Sequence, residues 1–174
     1  KERFINDYGL SSYDAGVLVS EKAIADYFEK AAKGRDSKII ANWVIGDLFA
    51  LLNKTNKTIE DTPILPESLG ELIDFIQDGT ISGRIAKEVF ESMAVSGKAA
   101  AAIIEEKGLK QVSDVKELTK VIKQVLSDRP NELSEYKNGK EKVFGFFVGQ
   151  VMKLTAGKAN PAKVNEILKK ELSN

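Results

Sequence analysis

The stretch Gly139 to Pro161, GKEKVFGFFVGQVMKLTAGKANP, decides how the chain is read. Laid out at 100° per residue, it is a helix with two unlike faces. One face gathers Val143, Phe144, Phe147, Val148, Val151, Met152 and Leu154. The opposite stripe carries Lys142, Gly145, Gly149, Lys153 and Ala156, flanked by Phe146, Gln150 and Gly157. A glycine inside a helix costs roughly 1 kcal/mol against alanine. It is kept where something must come close to the backbone. Two readings stand side by side. A neighbouring helix packs tightly on the glycines, or a polyanion approaches a bare, basic surface. Lysines share the stripe, and Lys158 and Lys163 follow it.

Outward from this helix the same period recurs. Downstream, Asn160 is placed to cap a last helix with Pro161 at its first position, lined by Val164, Ile167, Leu168 and Leu172. Upstream, a short helix runs through Glu135 to Asn138-Gly139, after a break at Asp128-Arg129-Pro130-Asn131. Before it Ser113 caps VKELTKVIKQVLS, with Val115, Leu118, Ile122, Val125 and Leu126 aligned. Further back, Gly108 closes an alanine-rich helix that Ser96-Gly97-Lys98 opens. Ile85, Ala86, Val89, Phe90 and Met93 share a face, with Arg84 and Lys87 near that helix's start. Cations there oppose the helix dipole, a mismatch that marks either a ligand site or a solvated pair. Ser68 to Glu71 matches a capping box, and Asn53 to Pro66 reads as a loop. Asp36 caps a stripe of Ile40, Trp43, Val44, Leu48, Leu51 and Leu52, and Ser20 caps Ile24, Tyr27, Phe28 and Ala31. Two short helices precede these, one ending at Gly9 and one over Ser12 to Val19.

No stretch alternates with period two, so the fold predicted is all-α. It has about ten helices in two packed helical units, 1–107 and 108–174. Trp43 is the only tryptophan and reads as core. Asp47 interrupts an apolar stripe and is expected to cap or pair with a neighbouring helix.

Composition narrows the chemistry. The 174 residues carry 26 basic and 26 acidic side chains. From Lys137 onward there are eight lysines and three glutamates, a local +5 balanced by −5 elsewhere. Attraction to nucleic acid therefore has to come from segregation of charge. With no cysteine and no histidine there is no thiolate, no imidazole base and no usual zinc ligand. Gly97-Lys98 and Gly157-Lys158 are isolated and belong to no phosphate loop. No catalytic, cofactor-binding or metal-binding residue is assigned. No apolar run reaches membrane-spanning length and no signal peptide is visible, which fits a cytoplasmic setting without membrane partners. The first residue is Lys1, so the chain is expected to be a piece of something longer. A binding module for nucleic acid and a helical protein–protein connector without RNA contact are the two classes left.

The run from Gly139-Lys140 through Phe147-Val148-Gly149-Gln150-Val151-Met152-Lys153 to Gly157-Lys158-Ala159-Asn160-Pro161 resembles the C-terminal signature of one family. These are the B subunits of tRNA-dependent aspartyl/glutamyl-tRNA(Asn/Gln) amidotransferases, whose tail is shared with YqeY-like proteins. Tyr8-Gly9-Leu10, Tyr13-Asp14-Ala15, Tyr27-Phe28-Glu29, Asn42-Trp43 and Ser82-Gly83-Arg84-Ile85-Ala86-Lys87 resemble it in the same order. Arg84 stands where that motif usually has lysine. The resemblance covers nearly the whole chain. It implies a ligase that converts misacylated Glu-tRNA(Gln) or Asp-tRNA(Asn) with ATP, magnesium and glutamine-derived ammonia. It also implies two further amidotransferase subunits as partners, one a glutaminase and the other small. It matches only the helical domain and the tail, so the catalytic cradle with its ATP and magnesium is expected outside this chain. For these residues the implied role is tRNA binding, by Lys140, Lys142, Gly145, Gly149, Gln150, Lys153 and Lys158, with Arg84, Lys87 and Lys98 as weaker candidates.

Overall fold

Apolar residues recur three and four apart along most of the chain, and each such stretch is helical in the computed structural model, which describes residues 1–112 and 114–174. Among the described residues the only β-type pairing is an isolated bridge between Val112 and Ala159. The fold is all-α.

The chain divides into two compact units. The first comprises Lys1–Asp78 and Ala86–Lys107, the second Gly79–Ile85 and Gly108–Asn174. Residues 79–85 thus group with the C-terminal unit, although their place in the order of the chain puts them in 1–107. A tertiary hydrogen bond helps to explain this, since Gln111 N–H donates to Thr80 O at 2.5 Å.

The first unit contains α1 (Glu2–Tyr8), α2 (Ser12–Leu18), α3 (Lys22–Ala32), α4 (Ser37–Asn42), α5 (Phe49–Thr55), α6 (Pro66–Gln77), most of α7 (Gly83–Ser96) and α8 (Ala100–Lys107). Helix α3 packs on α4 and α6. Phe28 is fully buried, and its ring lies 5.3 Å from Phe4 and 5.2 Å from Tyr8. Tyr27 OH donates to Ile64 O at 2.8 Å, which ties the 56–65 connection to α3. Burial raises the Tyr27 phenol pKa above its usual value, and the charge of Glu67 adds to the effect. Arg35 holds Asp74 at 2.9 Å, and its guanidinium lies where a Cβ on Gly70 would stand. Only a glycine fits under that ion pair.

Between α4 and α5 the helix does not break. Residues Trp43–Leu48 form a π turn, a local widening often found near functional sites. Here its neighbours are structural. Trp43 is buried with its ring 5.6 Å from that of Phe90. Lys87 Nζ sits 4.2 Å above the Trp43 ring and donates to Asp47 at 2.5 Å. Asp47 therefore has the pairing role expected of it, and Lys87 is occupied.

Several helix starts differ from the spacing. Glu21, not Ser20, precedes α3, because the Ser20 hydroxyl donates back to Val17 O at the end of α2. Helix α6 begins at Pro66, whose fixed φ suits a first turn. Ser68 and Glu71 consequently lie inside the helix and form no box. The capping box lies in the preceding loop, between Thr58 and Asp61. Asp36 and Asn160 cap α4 and the last helix as expected.

The second unit is built from α9 (Val115–Asp128), α10 (Pro130–Lys137), α11 (Lys142–Leu154) and α12 (Pro161–Leu172). Ser113, the expected cap of α9, lies outside the described residues. The cap that is described is Asp114, which accepts from Glu117 N–H at 2.9 Å. Leu118, Ile122 and Val125 of α9, Phe147 and Val151 of α11, and Val164, Ile167, Leu168 and Leu172 of α12 form one core. Val115 is 52% exposed, because the core of this unit begins at Leu118 one turn further on.

Candidate nucleic-acid interface

Helix α11 buries one face and leaves the other bare. Phe147 and Val151 are fully buried, and Val143, Phe144, Val148 and Met152 pack around them. Leu154 is the exception among the apolar positions at 62% exposed. It is the last residue of the helix, and the α11 contribution to the core ends near Met152.

On the opposite face Lys142, Gly145, Gly149 and Lys153 follow one another at helical spacing, and all four are exposed. A Cβ built on Gly145 or Gly149 would meet nothing within 4 Å. No helix of this unit packs there, so a tight helix contact within the unit does not explain the glycines. Eleven residues at 1.5 Å each separate the two lysines by about 16 Å along the axis. Phe146 lies beside the stripe, 38% exposed, with the Arg129 guanidinium 6.0 Å from its ring. Gln150 is half-buried.

The lysines are not equally available. Lys142, Lys153 and Lys158 have no carboxylate partner among the described residues. Lys140 lies 3.4 Å from Glu135, and Lys163 lies 3.2 Å from Glu166. Lys98, 2.8 Å from Glu106, is paired as well. Of the candidates near α7, only Arg84 is both exposed and without an acidic partner among the described residues.

The end of α11 has its own geometry. Gly157 N–H donates to Met152 O at 2.8 Å and Ala156 N–H to Lys153 O at 3.2 Å. That pair of bonds is a Schellman closure. Ala156 takes φ +52° and Gly157 φ +76°. The chain then turns into the bridge with Val112, where Val112 N–H donates to Lys158 O at 2.6 Å and Asn160 N–H to Val112 O at 2.9 Å. Beside this closure is a hollow of about 480 Å³ lined by Arg84, Gly149, Met152, Lys153, Ala156 and Gly157. Spacing along the chain does not reveal it, because Arg84 is distant in sequence from its neighbours there. The one signal in the sequence is the cation at the start of α7.

Among the described residues no three acidic side chains are grouped to hold a metal ion. No helix among the described residues is long and apolar enough to cross a membrane.

A family model described as the GatB domain matches residues 26–172. Similar proteins include the B subunit of the aspartyl/glutamyl-tRNA(Asn/Gln) amidotransferase of Granulibacter bethesdensis, 56% identical over 170 residues that cover 98% of this chain and 35% of that protein. The protein of the same description from Paramagnetospirillum magneticum is 55% identical over 172 residues, 99% of this chain and 36% of the relative. That of Thermoanaerobacter sp. is 52% identical over 174 residues, 99% and 37%. The chain thus spans about a third of the length of these relatives.

Proposed function

The chain belongs to the GatB domain family, and from that premise we propose that it is the tRNA-holding region of an amidotransferase B subunit. The whole enzyme in this reading is a ligase of translation. It converts misacylated Glu-tRNA(Gln) or Asp-tRNA(Asn) to Gln-tRNA(Gln) or Asn-tRNA(Asn) with ammonia from a partner glutaminase. ATP, magnesium and bond-making belong to protein outside this chain, and the setting is the cytoplasm.

One observation carries the reading for these residues. Lys142 and Lys153 are exposed and without a carboxylate partner among the described residues, with two bare glycines between them on the same face. Phosphates meet the ammonium groups as point charges, and the absent side chains let a strand lie close to the helix. Gln150 and Lys158 flank the contact, and Lys140 joins it by exchanging Glu135 for a phosphate.

Fluorescence anisotropy of labelled tRNA against this chain, across a salt series, tests the proposal. Counterion release predicts a linear fall of log affinity with log salt. A flat response, or no preference for tRNA over a polyanion of equal charge, overturns it. The exposed Leu154, next to Lys153, favours the second reading, a helical connector that docks on protein. That contact would be insensitive to salt.

A further inference from the structure

We propose that Arg84 and Lys153 together grip one backbone phosphodiester of the bound RNA in the hollow at the C-terminal end of α11. This rests on the tRNA-holding reading and assigns it a specific anchor away from the middle of the helix stripe.

Four observations converge on that hollow. Arg84 and Lys153 both line it, both are exposed, and neither has a carboxylate partner among the described residues. None of the six lining residues is acidic, so nothing there repels an anion. Arg84 is the second residue of α7, whose first turn contains no acidic residue. The positive end of a 14-residue helix therefore adds to its charge instead of being neutralised. Lastly, the guanidinium is seated where a side chain is missing. A Cβ on Gly157 would stand 2.8 Å from one Arg84 terminal nitrogen and 3.1 Å from the guanidinium carbon. The planar fork rests on the bare Cα of Gly157.

The chemistry selects the ligand. A guanidinium presents two parallel N–H donors that match two oxygens of one phosphate, and an ammonium supplies a compact charge from the other side. Gly149, where a Cβ would meet nothing within 4 Å, leaves room for the ribose beside the phosphate. A cation at the start of a helix is unfavourable until an anion arrives. The binding of phosphate removes that mismatch.

Titration of tRNA across a salt series with the full chain, R84A, R84K, K153A and R84A/K153A is the test. Loss of one phosphate contact is expected to reduce the salt slope by about 1 and to weaken binding roughly fivefold to tenfold near 0.1 M salt. R84K keeps the slope and loses part of the affinity, because a point charge lacks the fork. The double variant loses less than the product of the two single losses, since both side chains hold the same group. Arg84 is exposed, so the melting temperature of R84A serves as the folding control. Wild-type slope and affinity in R84A, or strictly multiplicative losses, overturn the shared phosphate while leaving the tRNA-holding reading intact. So does Arg84-dependent binding of inorganic phosphate that leaves tRNA affinity unchanged at matched ionic strength, which would assign the hollow to the free ion. Failure of the unaltered chain to bind tRNA ends both.

Discussion

Two sets of cations, one in each unit, are used in opposite ways. In the first, Arg3, Arg35, Lys87 and Lys98 are each spent on a carboxylate: Glu29, Asp74, Asp47 and Glu106. In the second, Lys142, Lys153 and Arg84 are exposed and Lys158 half-buried, with no such partner among the described residues. Overall neutrality conceals this division. It teaches that charge available for a ligand depends on what the fold has already paired, not on the number of lysines. Exposed pairs are each worth only about 0–1 kcal/mol to stability. Their larger effect here is to withhold these four side chains from a polyanion.

The largest effects test whether the division extends to stability. Phe28→Ala and Phe147→Ala each empty a fully buried aromatic site, at a cost of about 3–5 kcal/mol. Denaturation followed by hydrogen exchange should show the loss confined to the unit that carries the substitution. Equal loss of protection in both units would mean that they unfold as one.

Charge reversal comes next. Lys153→Glu should weaken tRNA binding on the order of tenfold and reduce the salt slope by about 1–2. Lys98→Glu, at a cation already paired with Glu106, should leave the slope unchanged. Similar losses from both would erase the contrast between the units.

Alkaline pH separates the units by another route. The folded-state pKa of Tyr27 is raised above the ordinary 10.0. The folded chain therefore retains that proton when the unfolded chain releases it. Stability from this group is complete below about pH 10 and is lost as pH rises beyond that. Tyr27→Phe should flatten the alkaline fall in the first unit without affecting the second. An unchanged pH profile would exclude Tyr27 as its cause.

The smallest effect is the most discriminating for the interface. Gly149→Ala adds a methyl group in open space, so α11 should gain about 0.5–1 kcal/mol. If RNA lies close to the backbone there, binding should fall while the melting temperature rises. A more stable variant with unchanged binding would remove Gly149 from the interface.

Most of the helical architecture is legible from periodicity. The positions singled out on α12 are all buried, as are Leu118, Ile122 and Val125 on α9. Local chemistry was less decisive where two neighbours compete. Ser20 closes the helix before it and does not open the one after it, and the choice turns on which backbone group its hydroxyl reaches. The exposed glycine–lysine face of α11 was visible as a pattern. Whether a helix covered it was not, because an amphipathic plot shows which residues differ and not what lies opposite them.

By itself the sequence determined the helices, the faces they bury and the excess of positive charge towards the C-terminal end. These follow from spacing and residue type, which act over a turn or two. Only the tertiary structure decided that Lys87 is committed to Asp47, that Gly145 and Gly149 are uncovered, and that Arg84 rests on Gly157 beside Lys153. Those relations join residues far apart in the chain. Local periodicity carries no information about which surfaces meet once the cores have closed.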